Sequence, residues 1–320
     1  MLALILTILT LLGAAPQDPS AKPMNVVATT GMIADTAREV GGPRTRVTAL
    51  MGEGVDPHLY KASPGDLRRL QDADLILFNG LHLEGRLADT LVRLARRQPT
   101  VQVTETIPEN LLREPPELEG HYDPHVWFDP TLWVYVAERT RDALIERDPA
   151  GKDEYTANCA RVVARLKTLD AWARAELARI PEQSRLIVTA HDAFGYFGRA
   201  YGLEVIGLQG ISTDSEVSIQ SINRLVDTLV SRRCRAVFVE SSVPRKAVEA
   251  LVEGCKSRGH TLTIGGELFS DAMGPDGTPE GTYEGMVRHN VRTIVEALAP
   301  AAPAPVHTPP SSATPEPAPR

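Results

Sequence analysis

Cysteine is scarce in this chain, with three among 320 residues at positions 159, 234 and 255. That is too few for the disulfide frameworks that hold small secreted domains together. Cys234 precedes a strand-like run and Cys255 lies near the end of the helix-like run that follows, so one bridge between them is geometrically open. Two inert buried thiols require only packing and are the preferred reading. Aromatic residues make up only 5% of the chain, too few for base-stacking or sugar-binding platforms. Basic residues are outnumbered, 34 Lys and Arg against 41 Asp and Glu for a net charge of -7, which argues against a nucleic-acid partner. Neither His-Glu-x-x-His nor Gly-x-Ser-x-Gly occurs, so no common hydrolase signature is present.

Long apolar runs are also missing, apart from residues 2–12. That run is too short to span a bilayer. It ends in Gly13-Ala14-Ala15 and reads as a signal peptide over roughly residues 1–15, which implies export. No cysteine follows it, so the expectation is a soluble periplasmic or secreted protein without a lipid anchor. At the other end, residues 299–320 hold eight prolines among alanine, serine and threonine. Such a composition cannot form a core and reads as a disordered tail.

What lies between is an alternation. Strand-like runs at 25–29, 46–50, 74–78 and 100–103 are separated by helix-like stretches such as 32–40 and 86–97. A second series at 185–190, 204–208, 236–240 and 261–264 is interleaved with helices at 218–231, 244–257 and 281–298. Alternation of this kind predicts an α/β fold of parallel sheets flanked by helices, and two series predict two lobes, 24–150 and 181–298. Residues 152–180 contain neither proline nor glycine and repeat apolar residues at helical intervals. They predict one long connecting helix, assigned to 151–180, which acts as a strut between the lobes.

Ligands of open α/β sheets gather beyond the carboxyl ends of the strands and in interdomain clefts. Four metal-binding side chains fall in such loops: His58, His125, His191 and Asp271. Two come from each half. Asp-Pro-His occurs twice, at 56–58 and 123–125, and proline there restricts the backbone and aims the next side chain reproducibly. Three imidazoles and a carboxylate suit a first-row dication such as Zn2+.

Over residues 24–298 the chain resembles the zinc- and manganese-binding solute receptors of bacterial ABC transporters whose two lobes are joined by one long helix. The resemblance rests on Asp56-Pro-His-Leu-Tyr60, Asp123-Pro-His-Val-Trp-Phe-Asp-Pro130, Thr189-Ala-His-Asp-Ala-Phe-Gly-Tyr-Phe197, Gly210-Ile-Ser-Thr213 and Gly266-Glu-Leu-Phe-Ser-Asp-Ala-Met-Gly274. It implies the same four ligands, a metal ion carried as cargo, delivery to an inner-membrane permease, and no catalysis. Two departures bear on the cargo. The histidine-rich loop of zinc-dedicated members is absent, since 115–120 is short and holds no histidine. Manganese and iron members often place glutamate where this chain has His191, and imidazole there shifts intrinsic affinity toward zinc, with manganese next.

Other residues are weighed beside these. His82 and His121 read as loop or surface residues that could approach the site, while His260, His289 and His307 read as inert. Asp129, Glu267 and Asp192 are candidates to orient a ligating imidazole from behind. Trp127 and Phe128 read as core. Because ligating histidines must be neutral, affinity is expected to fall as pH drops through about 6.5. The protein is expected to be a monomer. An exported metallohydrolase using the same cluster is the alternative, with Asp271 or Glu267 as base, and a binding module without metal is a third reading.

Overall fold

The computed structural model describes residues 22–299 except 119. The expected signal peptide, His307 and nearly all of the proline-rich tail lie outside them. Among the described residues no helix is long and apolar enough to cross a membrane.

The first half is a four-stranded sheet in the order β2-β1-β3-β4, formed by Met24–Ala28 (β1), Thr45–Ala49 (β2), Leu75–Phe78 (β3) and Thr100–Gln102 (β4). Every pairing is parallel. Its flanking helices include Gly31–Gly41 (α1), Pro64–Gln71 (α2), Ala88–Ala95 (α3) and Pro130–Arg147 (α4). In the second half Leu186–His191 (β5) pairs in parallel with Glu204–Gln209 (β6), and Ala236–Glu240 (β7) with Thr263–Leu268 (β8). Strand β5 also runs beside β7. The inner strands β1, β3, β5 and β7 are buried along most of their length, and their runs are correspondingly apolar and β-branched. The predicted α/β architecture is therefore the observed one.

Between the halves runs Lys152–Leu177 (α5), 26 residues or about 39 Å at 1.5 Å per residue. Asp153 and Glu154 lie in its first turn, where they favour the positive end of the helix dipole. Tyr155, Cys159, Val162, Leu166, Leu169, Ala173 and Leu177 form its buried stripe. The helix packs against α1, α4 and the last helix, Tyr283–Leu298 (α9). As a result one apolar core passes from Val26 and Leu75 through Leu166 to Ile187 and Ile294 without interruption. Phe128 stacks on Phe194 with ring centroids 4.2 Å apart, which joins the second and third sequence motifs inside that core.

The other α-helices among the described residues are Gly195–Tyr201 (α6), Ile219–Ser231 (α7) and Lys246–Ser257 (α8). Strand β8 is longer than the 261–264 run predicts. It continues through a bulge at which Phe238 pairs with Gly266, skipping Gly265. Gly266 has φ +151°, and a Cβ there would sit 2.4 Å from Thr293 Cγ2. Glycine at this point therefore lets the strand bend and carry on toward Asp271. Cys159, Cys234 and Cys255 are all free thiols, so the bridge left open by the sequence does not form.

Candidate metal centre

All four predicted ligands converge. His58 follows β2, His125 lies between β4 and α4, His191 ends β5, and Asp271 follows β8. Each is at most 2% exposed, and one donor atom from each lies within 4.8 Å of all the others. His58 Nε2 is 3.3 Å from His125 Nε2. Asp271 faces His58 Nε2 at 3.6 Å, His125 Nε2 at 3.4 Å and His191 Nε2 at 3.3 Å. Two donors bound about 2.05 Å from a tetrahedral ion stand roughly 3.3 Å apart, so these separations fit one shared cation. His191 Nε2 and both carboxylate oxygens of Asp271 are buried without a hydrogen-bond partner. Burying polar atoms unpaired is costly, and a cation among them would satisfy all three.

Carboxylates fix the backbone of all three histidines and the rings of two of them. In both Asp-Pro-His copies the aspartate Oδ1 accepts the histidine backbone N–H at 2.9 Å, Asp56 for His58 and Asp123 for His125. The turn is thus made by the aspartate as much as by the proline. In the second copy Asp123 Oδ1 also accepts the ring Nδ1–H of His125 at 2.8 Å. Glu240 does the same for His191, taking its backbone N–H at 2.8 Å on Oε1 and its ring Nδ1–H at 2.5 Å on Oε2. Holding the proton on Nδ1 leaves the Nε2 lone pair pointing into the site. Asp123 is braced in turn by an ion pair with Arg113, and Tyr196 O–H donates to its carbonyl.

The carboxylates behind the imidazoles are therefore Asp123 and Glu240, not the candidates singled out from the sequence. Asp129 instead caps α4, accepting from Thr131 N–H at 2.9 Å. Glu267 is exposed on β8, and its carbonyl accepts from His289. Asp192 adjoins His191 but makes no hydrogen bond to an imidazole; burial pushes its carboxyl up. Asp123 was visible as the first residue of a repeated motif. Glu240 stands 49 positions from His191, and only the lateral approach of β5 and β7 brings the two together.

His82 and His121 are exposed and meet each other edge to face, with centroids 4.5 Å apart, outside the four-ligand cluster. His260 and His289 donate to the carbonyls of Cys234 and Glu267. Trp127 is 1% exposed and belongs to the core as expected. It also touches the His125 ring, with centroids 5.1 Å apart, and its Nε1–H donates to Ser270 O next to Asp271.

Charge is unevenly shared. Burial pushes the His58 imidazole down to about 4 against the opposing pull of Asp271. Burial also disfavours charge on His125, yet Asp123 and Asp271 prevail and hold it up at about 9. His191, buried between Glu240 and Asp271, lies well above the ordinary histidine value for the same reason. Burial would raise Asp271, but His191 and His125 outweigh it and hold the carboxyl well below its usual range.

Four buried donors thus converge beyond the parallel strands, as many as a tetrahedral metal shell needs. Residues 26–297 match the family described as ZnuA, zinc-uptake complex component A, periplasmic, and the chain belongs to that family. It is similar to the manganese-binding lipoprotein MntA of Bacillus subtilis (strain 168), 49% identical over 276 residues covering 86% of this chain and 90% of MntA. It is also similar to the zinc-binding protein TroA of Treponema pallidum (strain Nichols), 47% identical over 280 residues, 87% of this chain and 89% of TroA. A solved structure of the periplasmic zinc-binding protein TroA from Treponema pallidum superposes with a TM-score of 0.85, covering 87% of this chain and all of that one. The chain is accordingly a solute-binding component of the metal ABC transporter class and not an enzyme, and the metallohydrolase alternative finds no support.

Proposed function

We propose that His58, His125, His191 and Asp271 together hold a single divalent transition-metal ion, zinc by preference and manganese next. The protein captures it outside the cytoplasm and hands it to the permease of an ABC transporter. The observation that carries the ligand set is the group of buried, unpartnered donors on His191 and Asp271 facing two further imidazoles at shared-cation spacing. Preference for zinc rests on the three neutral nitrogen donors and on the order of divalent affinities, in which Zn2+ exceeds Mn2+. That one similar protein is named for manganese and another for zinc agrees with a site able to accept both. In this reading residues 24–150 and 181–298 act as two lobes across the 151–180 strut, and the receptor works as a monomer.

Elemental analysis of untagged protein purified without added metal tests the reading. About one zinc or manganese per chain is expected, and loss of that ion in His125→Ala should follow. Metal-free wild-type protein that also fails to bind either ion on titration would reject it.

A further inference from the structure

The motif Gly210-Ile-Ser-Thr213 supplies no ligand, yet its last residue reaches the site from the far half of the chain. Thr213 is 7% exposed, and its hydroxyl donates to Asp56 Oδ2 at 2.5 Å. The other oxygen of that carboxylate accepts the backbone N–H of His58 at 2.9 Å. Asp56 therefore sits between a ligand of the first half and a loop of the second.

The loop is itself anchored at another ligand. Gln209 ends β6 in register with His191 on β5. Its side-chain Nε2 donates to the carbonyl of Thr213 at 2.7 Å and also to that of Ser215, folding residues 210–216 back over the strand end. Asp192 N–H donates to Gln209 O at 3.1 Å. A hydrogen-bonded path thus runs from the His191 strand through Gln209 and Thr213 to Asp56 and His58. Arg86 and Asp214 add an exposed ion pair beside it at 3.3 Å, which is worth little alone.

We infer that Thr213 is a positioning residue for metal retention. By clasping Asp56 across the two halves, its hydroxyl keeps His58 aligned with the donors of the second half and lengthens the residence of the bound ion. The inference rests on the four-ligand reading above. The hydroxyl is bonded to Asp56 and is not one of the four candidate donors, so it should leave capture untouched and act on release. Changes at a binding site are felt mostly in the off-rate.

The test is stopped-flow release of Zn2+ into excess chelator from the full chain, with association measured separately. Thr213→Val and Thr213→Ala should each raise the dissociation rate constant at least tenfold while the association rate constant stays within about threefold of wild type. Thr213→Ser, which restores the hydroxyl, should release at close to the wild-type rate. The inference is overturned if Thr213→Val and Thr213→Ala release at wild-type speed, or if Thr213→Ser is as fast as Thr213→Ala, since a packing role would then suffice. Comparison of the serine and alanine variants keeps the test valid should valine impair folding. Failure of the wild-type protein to bind Zn2+ would instead reject the ligand set itself.

Discussion

Loading of the site should release protons. Without cargo, His125 stands at about 9 and His191 well above its ordinary value, so both carry a proton at pH 7, while His58, held near 4, does not. A metal ion requires all three rings neutral. The two charged imidazoles share Asp271 as a neighbour and titrate as a coupled pair. Binding at pH 7 should therefore expel between one and two protons per ion. Affinity should fall ten- to a hundredfold for each pH unit lost between about 8 and 5, rather than beginning its decline near 6.5 as free histidines would suggest. Each displaced proton costs about 1.4 kcal/mol per pH unit. Stability of the metal-free protein follows the opposite sign. Raised histidine values add stability that is complete below about 6.5 and is lost as pH rises through about 9. Melting of the metal-free chain should accordingly fall over that window while the increment from added zinc grows. Calorimetric titration of zinc in buffers of differing ionisation enthalpy counts the protons directly. Zero protons, or three, at pH 7 would refute the assignment of charge.

Other outcomes are expected. His125→Ala should weaken zinc binding by more than a thousandfold and His82→Ala by less than threefold, read by competition against a chromogenic chelator. Asp123→Asn and Glu240→Gln should each cost about 10- to 100-fold in affinity, the range typical of groups that orient a ligating histidine, with the fold intact by circular dichroism. Asp129→Ala should leave zinc affinity unchanged within about threefold yet lower thermal stability by roughly 1 kcal/mol, as loss of a helix cap does. Zinc at 1,000 times its dissociation constant should stabilise the chain by about 4 kcal/mol, seen as an upward shift in melting temperature that His191→Ala abolishes.

The alternation of strands and helices was legible because each element carries its own period, and the meeting of His58, His125, His191 and Asp271 was legible because open parallel sheets gather their functional loops at the strand ends. What escaped the sequence has particular causes. Helix α4 begins with Asp129 as cap and Pro130 in its first turn, a standard start signal, but Asp129 also stands four residues after His125 and reads equally well as a partner for it. Helix α2 opens with a capping box from Ser63 and Asp66, and its eight residues carry too short an apolar stripe to register. The two glycines of β8 look like the end of a strand, whereas they form a bulge within one. The pairing of Glu240 with His191 depends on how β5 and β7 lie side by side, and no local pattern encodes that.

The unbroken core around α5 governs how the molecule can be divided or bent. Cutting the chain at this helix would expose the stripe from Tyr155 to Leu177 together with the faces of α1, α4 and α9 that cover it, so neither fragment keeps a closed interior and the whole should melt in one step. Dyes fixed to the two flanks would report little on loading, because a contact this apolar resists opening. A probe in the 210–216 segment, tethered by a few polar bonds, would be the better reporter of an ion arriving or leaving.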